Sequence, residues 1–401
     1  MAQRADPISL STNEELANHI SLSINDELAR FSPTPYDRCI FRVHDKLRAE
    51  NEKAYEPSII AIGPYYHGID KLQKMEEHKL LYLQQLLQRR NETGVDKYVM
   101  ALIDMEERAR KCYTESSILK KADFVKMMLF DGIFVVELFR KSNAQSSSKY
   151  DLLFQFWSIR AQVTCDLLLL ENQLPFFILV MLFNMTREVN TDEDITFLAL
   201  SFLGRVVPGP TISKVSDISI DHVQHLLHLV HGSMCFSFAE KIKSYHDRYE
   251  YDNFINTVTE LQEFGMEFKV TKESTSLFDI KFVNGLMEIP WLEINDNTES
   301  ILRNLIAYEQ FCPTGQPKYV SDYAYFMDLL VNSPKDVTLL RCSRIIENCS
   351  GDDTTVCNML NKLNNNVILS YKFCYSEVFS NVNKHFVTPR VVFKNCMYEL
   401  Q

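Results

Sequence analysis

The sequence predicts an α+β fold dominated by helices, with a small antiparallel β-meander over Met266–Ile294 and short N-terminal strands. Three observations predict it. Apolar residues recur at helical spacing through most of the chain, as in MEEHKLLYLQQLLQRR (Met75–Arg90). After Gly265 the period changes: MEFKV, SLFDIKF and LMEIPWLEI alternate or carry β-type residues around Asn284-Gly285, a hairpin signal. Between them lies DLLLLENQLPFFILVMLF (Asp166–Phe183), nearly all apolar but interrupted by Glu171, Asn172 and Gln173 and split by Pro175. A membrane span needs about 20 uninterrupted apolar residues, so this stretch reads as two buried helix segments meeting at a corner. Pro175 suits the first turn of the second segment, and Leu174 before it is pushed out of helical geometry. Polar residues buried at such a corner need hydrogen-bond partners.

In chain order, Asn13–Phe31 is an amphipathic helix with Leu16, Ile20, Ile24 and Leu28 on one side, stopped by Ser32-Pro33-Thr34-Pro35. Ile40–Val43 and Ser58–Ile62 read as short strands, and Gly63-Pro64 ends the second. Tyr65, Tyr66 and His67 follow, either lining a binding cleft or packing over the core. Met75–Arg90 presents Leu80, Leu83, Leu86 and Leu87 as its apolar stripe, and Asp96–Cys112 continues in helical style. Asp123–Arg140 is apolar on nearly every face and reads as a central buried helix; Asp131 is its odd residue, and Glu137 is spaced to pair with Arg140 or Lys141. Ser142–Lys149 is a polar loop, and Gly204–Ser219 a mobile loop and weak boundary. The histidines at 222, 225, 228 and 231 wind along a polar face opposite Val223, Leu226, Leu227 and Val230. Neighbouring pairs give only two ligands, so the face reads as solvated and no metal is expected. Asp252–Phe264 is a helix, and Pro290 places the last strand at an edge or bulge. Helices then follow from an Asp296/Glu299 capping box to Phe311, over Tyr319–Val331, from Ser333-Pro334 to Glu347, from Asp352 or Asp353 to Leu363, and over Val367–Phe386. The organisation is an N-terminal helix and linker (1–38), a single helical domain (39–390) and a tail (391–401).

Composition narrows the function. The net charge is −11 and no Lys/Arg cluster stands out, against the basic patches that nucleic-acid binding needs. Ten cysteines without CxxC pairs read as reduced thiols. The N-terminus lacks a charged-then-apolar signal pattern, so a cytoplasmic place or one peripheral to the plasma membrane is expected. There is no G-x-S-x-G, Walker, H-E-x-x-H or G-x-G-x-x-G motif, no cofactor is implied, and no catalytic residue can be assigned. One enzyme-like constellation remains, because Asp131, Asp166 and Glu171 sit in or beside apolar helices where carboxylate pKa values shift. The same acids, with Asn172 and Gln173, equally suit a structural polar corner that satisfies freed backbone groups.

IFRVHDKLRAENEKAYEPSIIAIGPYYHG, FDGIFVVELF, LLLLENQLPFFIL, HLLHLVHGSM, TELQEFGMEF, MEIPWLEINDNTESILRNLIAYEQ and YFMDLLVNSPKDVTLLRCSRII occur in this order. Together, from about Cys39 to Phe386, they resemble the plant-specific domain of unknown function 247. The resemblance implies a plant protein with no established enzymatic activity. It implies a protein partner, since some members are pollen-side determinants of grass self-incompatibility that recognise small secreted, cysteine-rich pistil proteins. Members usually carry a C-terminal transmembrane helix. This sequence ends in VVFKNCMYELQ, where only Val391–Phe393 are consecutive apolar residues, so no transmembrane helix is expected in it.

Overall fold

A computed structural model describes residues 12–30, 38–115, 117–144, 151–188, 192–210, 220–242, 254–271, 274, 276–313 and 315–387. Met1–Arg38 and Cys39–Gln401 are separate compact units. The first contains helix α1 (Thr12–Arg30).

The second unit runs through one-turn helix α2 (Asp45–Arg48), α3 (Lys74–Arg89), α4 (Asp96–Lys111), α5 (Lys121–Asn143) and one-turn α6 (Leu152–Gln155). Helices α7 (Trp157–Asp166), α8 (Phe176–Thr186), α9 (Ile195–Leu203), α10 (Leu226–Ile242) and α11 (Val258–Glu263) continue it. Strands β1 (Glu267–Val270), β2 (Lys281–Val283), β3 (Leu286–Ile289) and β4 (Leu292–Ile294) follow. The described chain closes with α12 (Thr298–Gln310), α13 (Tyr319–Leu330), α14 (Pro334–Cys342), β5 (Ile346–Asn348), α15 (Asp353–Leu363) and α16 (Ser376–Val387). The fold is predominantly helical with small β elements, as the periodicity predicts.

Helix α5 is the hub, packed against α3, α4, α8 and α9. Every residue from Phe124 to Arg140 is buried except Lys126 and the half-buried Phe130. Each buried Phe or Leu there contributes ~1.5–3 kcal/mol, which is why this helix carries almost no solvent face. Gly132 lets α8 come close: a Cβ built there would lie 2.4 Å from Leu182 Cδ1. The partner stripe of α3 differs from the predicted one. It comprises Met75, Lys79, Tyr82, Leu83 and Leu86, whereas Leu80 is half exposed (49 %).

The β elements are mixed rather than an antiparallel meander. Asn284 and Gly285, at φ +52° and +85°, turn β2 back along β3 as a two-residue hairpin. However, β1 joins the other side of β3 in parallel, and β4, past Pro290, pairs in parallel with β5. That last strand lies where the sequence predicts helix to Glu347; α14 instead stops at Cys342. The predicted N-terminal strands reduce to one bridge, Ile40 to Tyr113. Ser58–Ile62 is extended in sequence character, yet the N–H groups of Ser58, Ile59, Ile60 and Ile62 are taken by side chains instead of a strand. Likewise helix α16 begins at Ser376 rather than Val367, because Asp322 accepts from the N–H of Ser370 and of Cys374 and holds that segment out of helix.

Several helix starts carry their predicted caps. Ser333 and Asp336 form a capping box with Pro334 in the first turn, and Asp352 caps α15. Pro175 opens α8 as expected, but as its N-cap, one position before the first turn in which the sequence places it. Helix α12 instead starts after Asn297, which makes no side-chain cap bond, and Thr257 rather than Asp252 opens α11. The histidine run is no solvated face. Helix α10 begins only at Leu226, His225 and His231 are buried, and His228 is half-buried. The cause is Tyr308 on α12, whose ring lies 5.5, 5.4 and 5.1 Å from the rings of His225, His228 and His231. The predicted loops Ser142–Lys149 and Gly204–Ser219 fall largely outside the described residues, at 145–150 and 211–219.

Candidate functional site

The corner between α7 and α8 gathers the acids singled out in the sequence, and each takes charge of a different backbone segment. Asp166, at the end of α7, accepts hydrogen bonds from the N–H groups of Ser58 (3.0 Å), Ile59 (2.7 Å) and Ile60 (2.9 Å). Asn172 accepts from Ile62 N–H at 2.7 Å and donates to the carbonyls of Ile60 and Asp166. Asp131, from the middle of α5, accepts from Gly63 N–H at 2.8 Å. Gln173 donates to the carbonyls of Leu167 and Leu169 and accepts from Leu227 N–H, joining the corner to α10. Gly63 sits at φ +76°, and a Cβ there would be 2.4 Å from the Gln173 carbonyl oxygen, so the segment closes onto the corner backbone to backbone.

Lys79 completes this arrangement. Fully buried on α3, its ammonium donates to Asp131 (2.6 Å), Glu76 (2.6 Å) and the Ala61 carbonyl (2.7 Å). Burial alone lowers the Lys79 pKa, but the charges of Asp131 and Glu76 outweigh it and hold the lysine above its usual value. Burial pushes the Asp131 carboxyl up, against the pull of Lys79, and pushes Asp166 up against its three N–H donors. The sequence reading missed Lys79. The available signal was its place four residues after Met75 and three before Tyr82, inside the apolar stripe.

Glu171 forms the other half of the corner. It accepts from Val43 N–H (2.7 Å), Arg42 (2.8 Å) and Arg48 (2.5 Å). The Tyr66 hydroxyl lies 2.9 Å from it and 3.1 Å from the Tyr55 carbonyl oxygen. Tyr66 is buried; burial, then Glu171, pushes its hydroxyl pKa well up. Tyr65 is half-buried beneath the Arg42 guanidinium, 4.1 Å from its ring centroid, and its hydroxyl reaches the Ile40 carbonyl and Thr114. His67 is half-buried. Tyr65 and Tyr66 therefore pack over this network. Every oxygen of Asp131, Asp166 and Glu171 already accepts at least one hydrogen bond, so the constellation orders backbone.

An open cavity of about 640 Å³ lies elsewhere, where the end of β1 meets β4 and β5. It is lined by Val270, Trp291, Arg341, Arg344, Glu347 and Asn348 among others. Trp291 Nε1 donates to Glu347 at 3.2 Å, and Arg341 holds Asp353 at 2.8 and 2.9 Å. Arg344 sits at φ +59°, is exposed, and forms no ion pair among the described residues. The period-2 pattern located the strands between Met266 and Ile294 but gave no sign of β5, read as helix, which pairs with β4 and lines this cavity.

Among the described residues no helix is long and apolar enough to cross a membrane. The chain is 28% identical over 372 residues to UPF0481 protein At3g47200 of Arabidopsis thaliana, covering 86% of this chain and 77% of that protein. It is 21% identical over 440 residues to putative UPF0481 protein At3g02645 of the same plant, covering 86% and 82%. No solved structure matches it. The family described as plant protein of unknown function, domain of unknown function 247, matches residues 40–399, and the chain belongs to that family.

Proposed function

We propose that this protein works by binding a protein partner and turns over no substrate at its buried acids. The observation that carries the reading is the saturation of Asp131, Asp166 and Glu171, whose oxygens are all engaged by N–H groups, lysine, arginine or tyrosine. A general acid or base must reach a substrate proton, and these groups face the protein's own backbone. The cavity at Trp291 supports the same reading, since Trp and Arg anchor the energetic centres of interfaces. The net charge of −11 favours a basic partner through long-range steering. In the version the family resemblance suggests, the partner is a small, secreted, cysteine-rich pistil protein met peripheral to the plasma membrane. The test is a binding titration against cognate and non-cognate pistil proteins, with Ser142–Lys149 and Gly204–Ser219 exchanged between alleles. Partner choice that follows the exchanged loops, or that depends on Trp291, supports recognition. Choice indifferent to both, or hydrolysis abolished by Asp131→Asn, overturns it.

A further inference from the structure

Helices α10 and α12 face each other through three buried residues that the corner and the cavity do not use. His231 Nε2 lies 2.7 Å from Glu309 Oε1. Cys235, one turn along α10, places Sγ 3.7 Å from the same nitrogen. All three ligand atoms lie within 4.8 Å of one another. We propose that His231, Cys235 and Glu309 form a Zn²⁺ site that pins α10 to α12.

The donor set suits that ion. Imidazole nitrogen, thiolate sulfur and carboxylate oxygen are the ligands zinc takes, at ~2.0–2.3 Å each, and the three atoms lie close enough together that small side-chain rotations would gather them round one ion. The i, i+4 spacing of His231 and Cys235 puts both on one face of α10. Glu309 is held for the task. Its Oε2 accepts from the N–H and hydroxyl of Ser321, and its Oε1 accepts from Val320 N–H at 2.9 Å. An ionised carboxylate oxygen has a second lone pair, which His231 now occupies and a cation would take. Such outer hydrogen bonds fix a metal-binding carboxylate in place.

Charge can balance at the same place: a divalent ion beside Cys235 would convert its thiol to thiolate, and that anion with the Glu309 carboxylate balances the ion in a buried site. Cys312 lies just past the end of α12, three residues after Glu309, and its thiol makes only a weak bond to the Tyr308 carbonyl at 3.8 Å; a rotation about its Cα–Cβ bond would be needed to bring it in as a fourth ligand. The site differs from the histidine pairs weighed in the sequence: His225 Nδ1 accepts from His228 N–H, and both rings pack on Tyr308.

The experiment measures zinc in the untagged, reduced full chain, then strips it and titrates in zinc or cobalt. One equivalent per chain is expected, with a thiolate-to-cobalt absorption band and a melting temperature that falls on chelation. Cys235→Ser should lose the equivalent, the band and the chelator response, while Cys312→Ser weakens affinity. Folding of each variant is checked by circular dichroism. If Cys235→Ser does not fold, His231→Gln provides the same readouts. A folded wild-type chain that neither retains nor takes up metal, or that binds it unchanged in both variants, overturns the proposal and leaves His231 and Glu309 as a hydrogen-bonded pair.

Discussion

The Glu171 corner and the Trp291 cavity use the same chemistry to opposite ends. Each holds two arginines and an arginine–carboxylate pair. At the corner the side chains of Arg42 and Arg48 are 36 % and 22 % exposed and converge on a Glu171 carboxylate with no exposure at all. At the cavity Arg341 is 47 % exposed and its acid, Asp353, is reached by solvent. In the first case the carboxylate is sealed and also serves a backbone N–H, so the charges are committed to the fold. In the second the pair is screened and contributes little to stability, and Arg344 beside it is exposed and forms no ion pair among the described residues. Burial, more than residue type, separates the sealed network from the open cavity here.

The largest expected effect tests the sealed side. Glu171→Ala leaves Arg48 and the Val43 N–H without their acceptor and Arg42 with Glu115 alone, and breaking one side of a buried ion pair costs ~3–5 kcal/mol. Denaturant unfolding should show that loss, with Glu171→Gln losing less because it keeps an acceptor. An unfolding free energy within experimental error of wild type would place Glu171 outside the structural network.

That network also marks the limit of what the sequence could show. The Ser333-Pro334-Lys335-Asp336 start was legible because donor and acceptor lie three residues apart, and Asn284-Gly285 because a two-residue turn needs only local backbone geometry. The corner itself was legible as apolar segments broken by three polar residues and a proline, but only the second segment is a helix: α7 ends at Asp166, and Leu167–Leu174 runs as non-helical turns because its backbone carbonyls and N–H groups bond to Gln173 and Asn304 side chains. The corner's partners were not legible. Ile59, Ile60 and Ile62 have strand character, but the acceptors of their N–H groups are Asp166 and Asn172, more than a hundred residues away. Asp322 likewise reaches Ser370 across 48 residues, and Glu309 reaches His231 across 78. Period and propensity report the environment of a residue's own face, and a carboxylate that crosses the core to cap foreign backbone leaves no trace in either.

A smaller effect probes the packing that brings the corner together. Gly132→Ala puts a methyl 2.4 Å from Leu182 Cδ1 at the α5–α8 crossing. Overpacking of this kind costs ~1–3 kcal/mol, outweighing the helix propensity gained. A stabilised Gly132→Ala variant would mean that the two helices are not held at this distance.

The histidine stack asks whether burial alone, without an ion pair, couples a charge to folding. Burial lowers the pKa of His225 to about 3, with His228 and then His231 adding repulsion, and that of His228 to about 4. The folded values lie below the unfolded one, so the stabilisation is complete above pH ~6.5 and is lost as pH falls. Below that pH the unfolded chain takes up protons that folded His225 refuses. Its share of the slope is about 1.4 kcal/mol per pH unit. His225→Gln should remove that share, flattening the fall in stability between pH 6.5 and 4.5. Parallel curves for the two proteins would show that His225 is not held neutral.

The smallest effect on stability should accompany the largest effect on binding. Arg344→Ala removes an exposed side chain with no ion pair among the described residues, and its backbone strain at φ +59° is shared by alanine. Stability should therefore stay within about 0.5 kcal/mol of wild type, as for surface changes that touch no special feature. If the cavity is the contact surface, the same change, or Trp291→Ala, should weaken partner binding by about 2 kcal/mol, roughly thirty-fold. Calorimetric unfolding and a binding titration on one preparation separate the two readouts. Loss of stability together with binding would assign Arg344 to the fold. Loss of neither would move the recognition surface away from β5, and the division between sealed corner and open cavity would no longer identify where a partner sits.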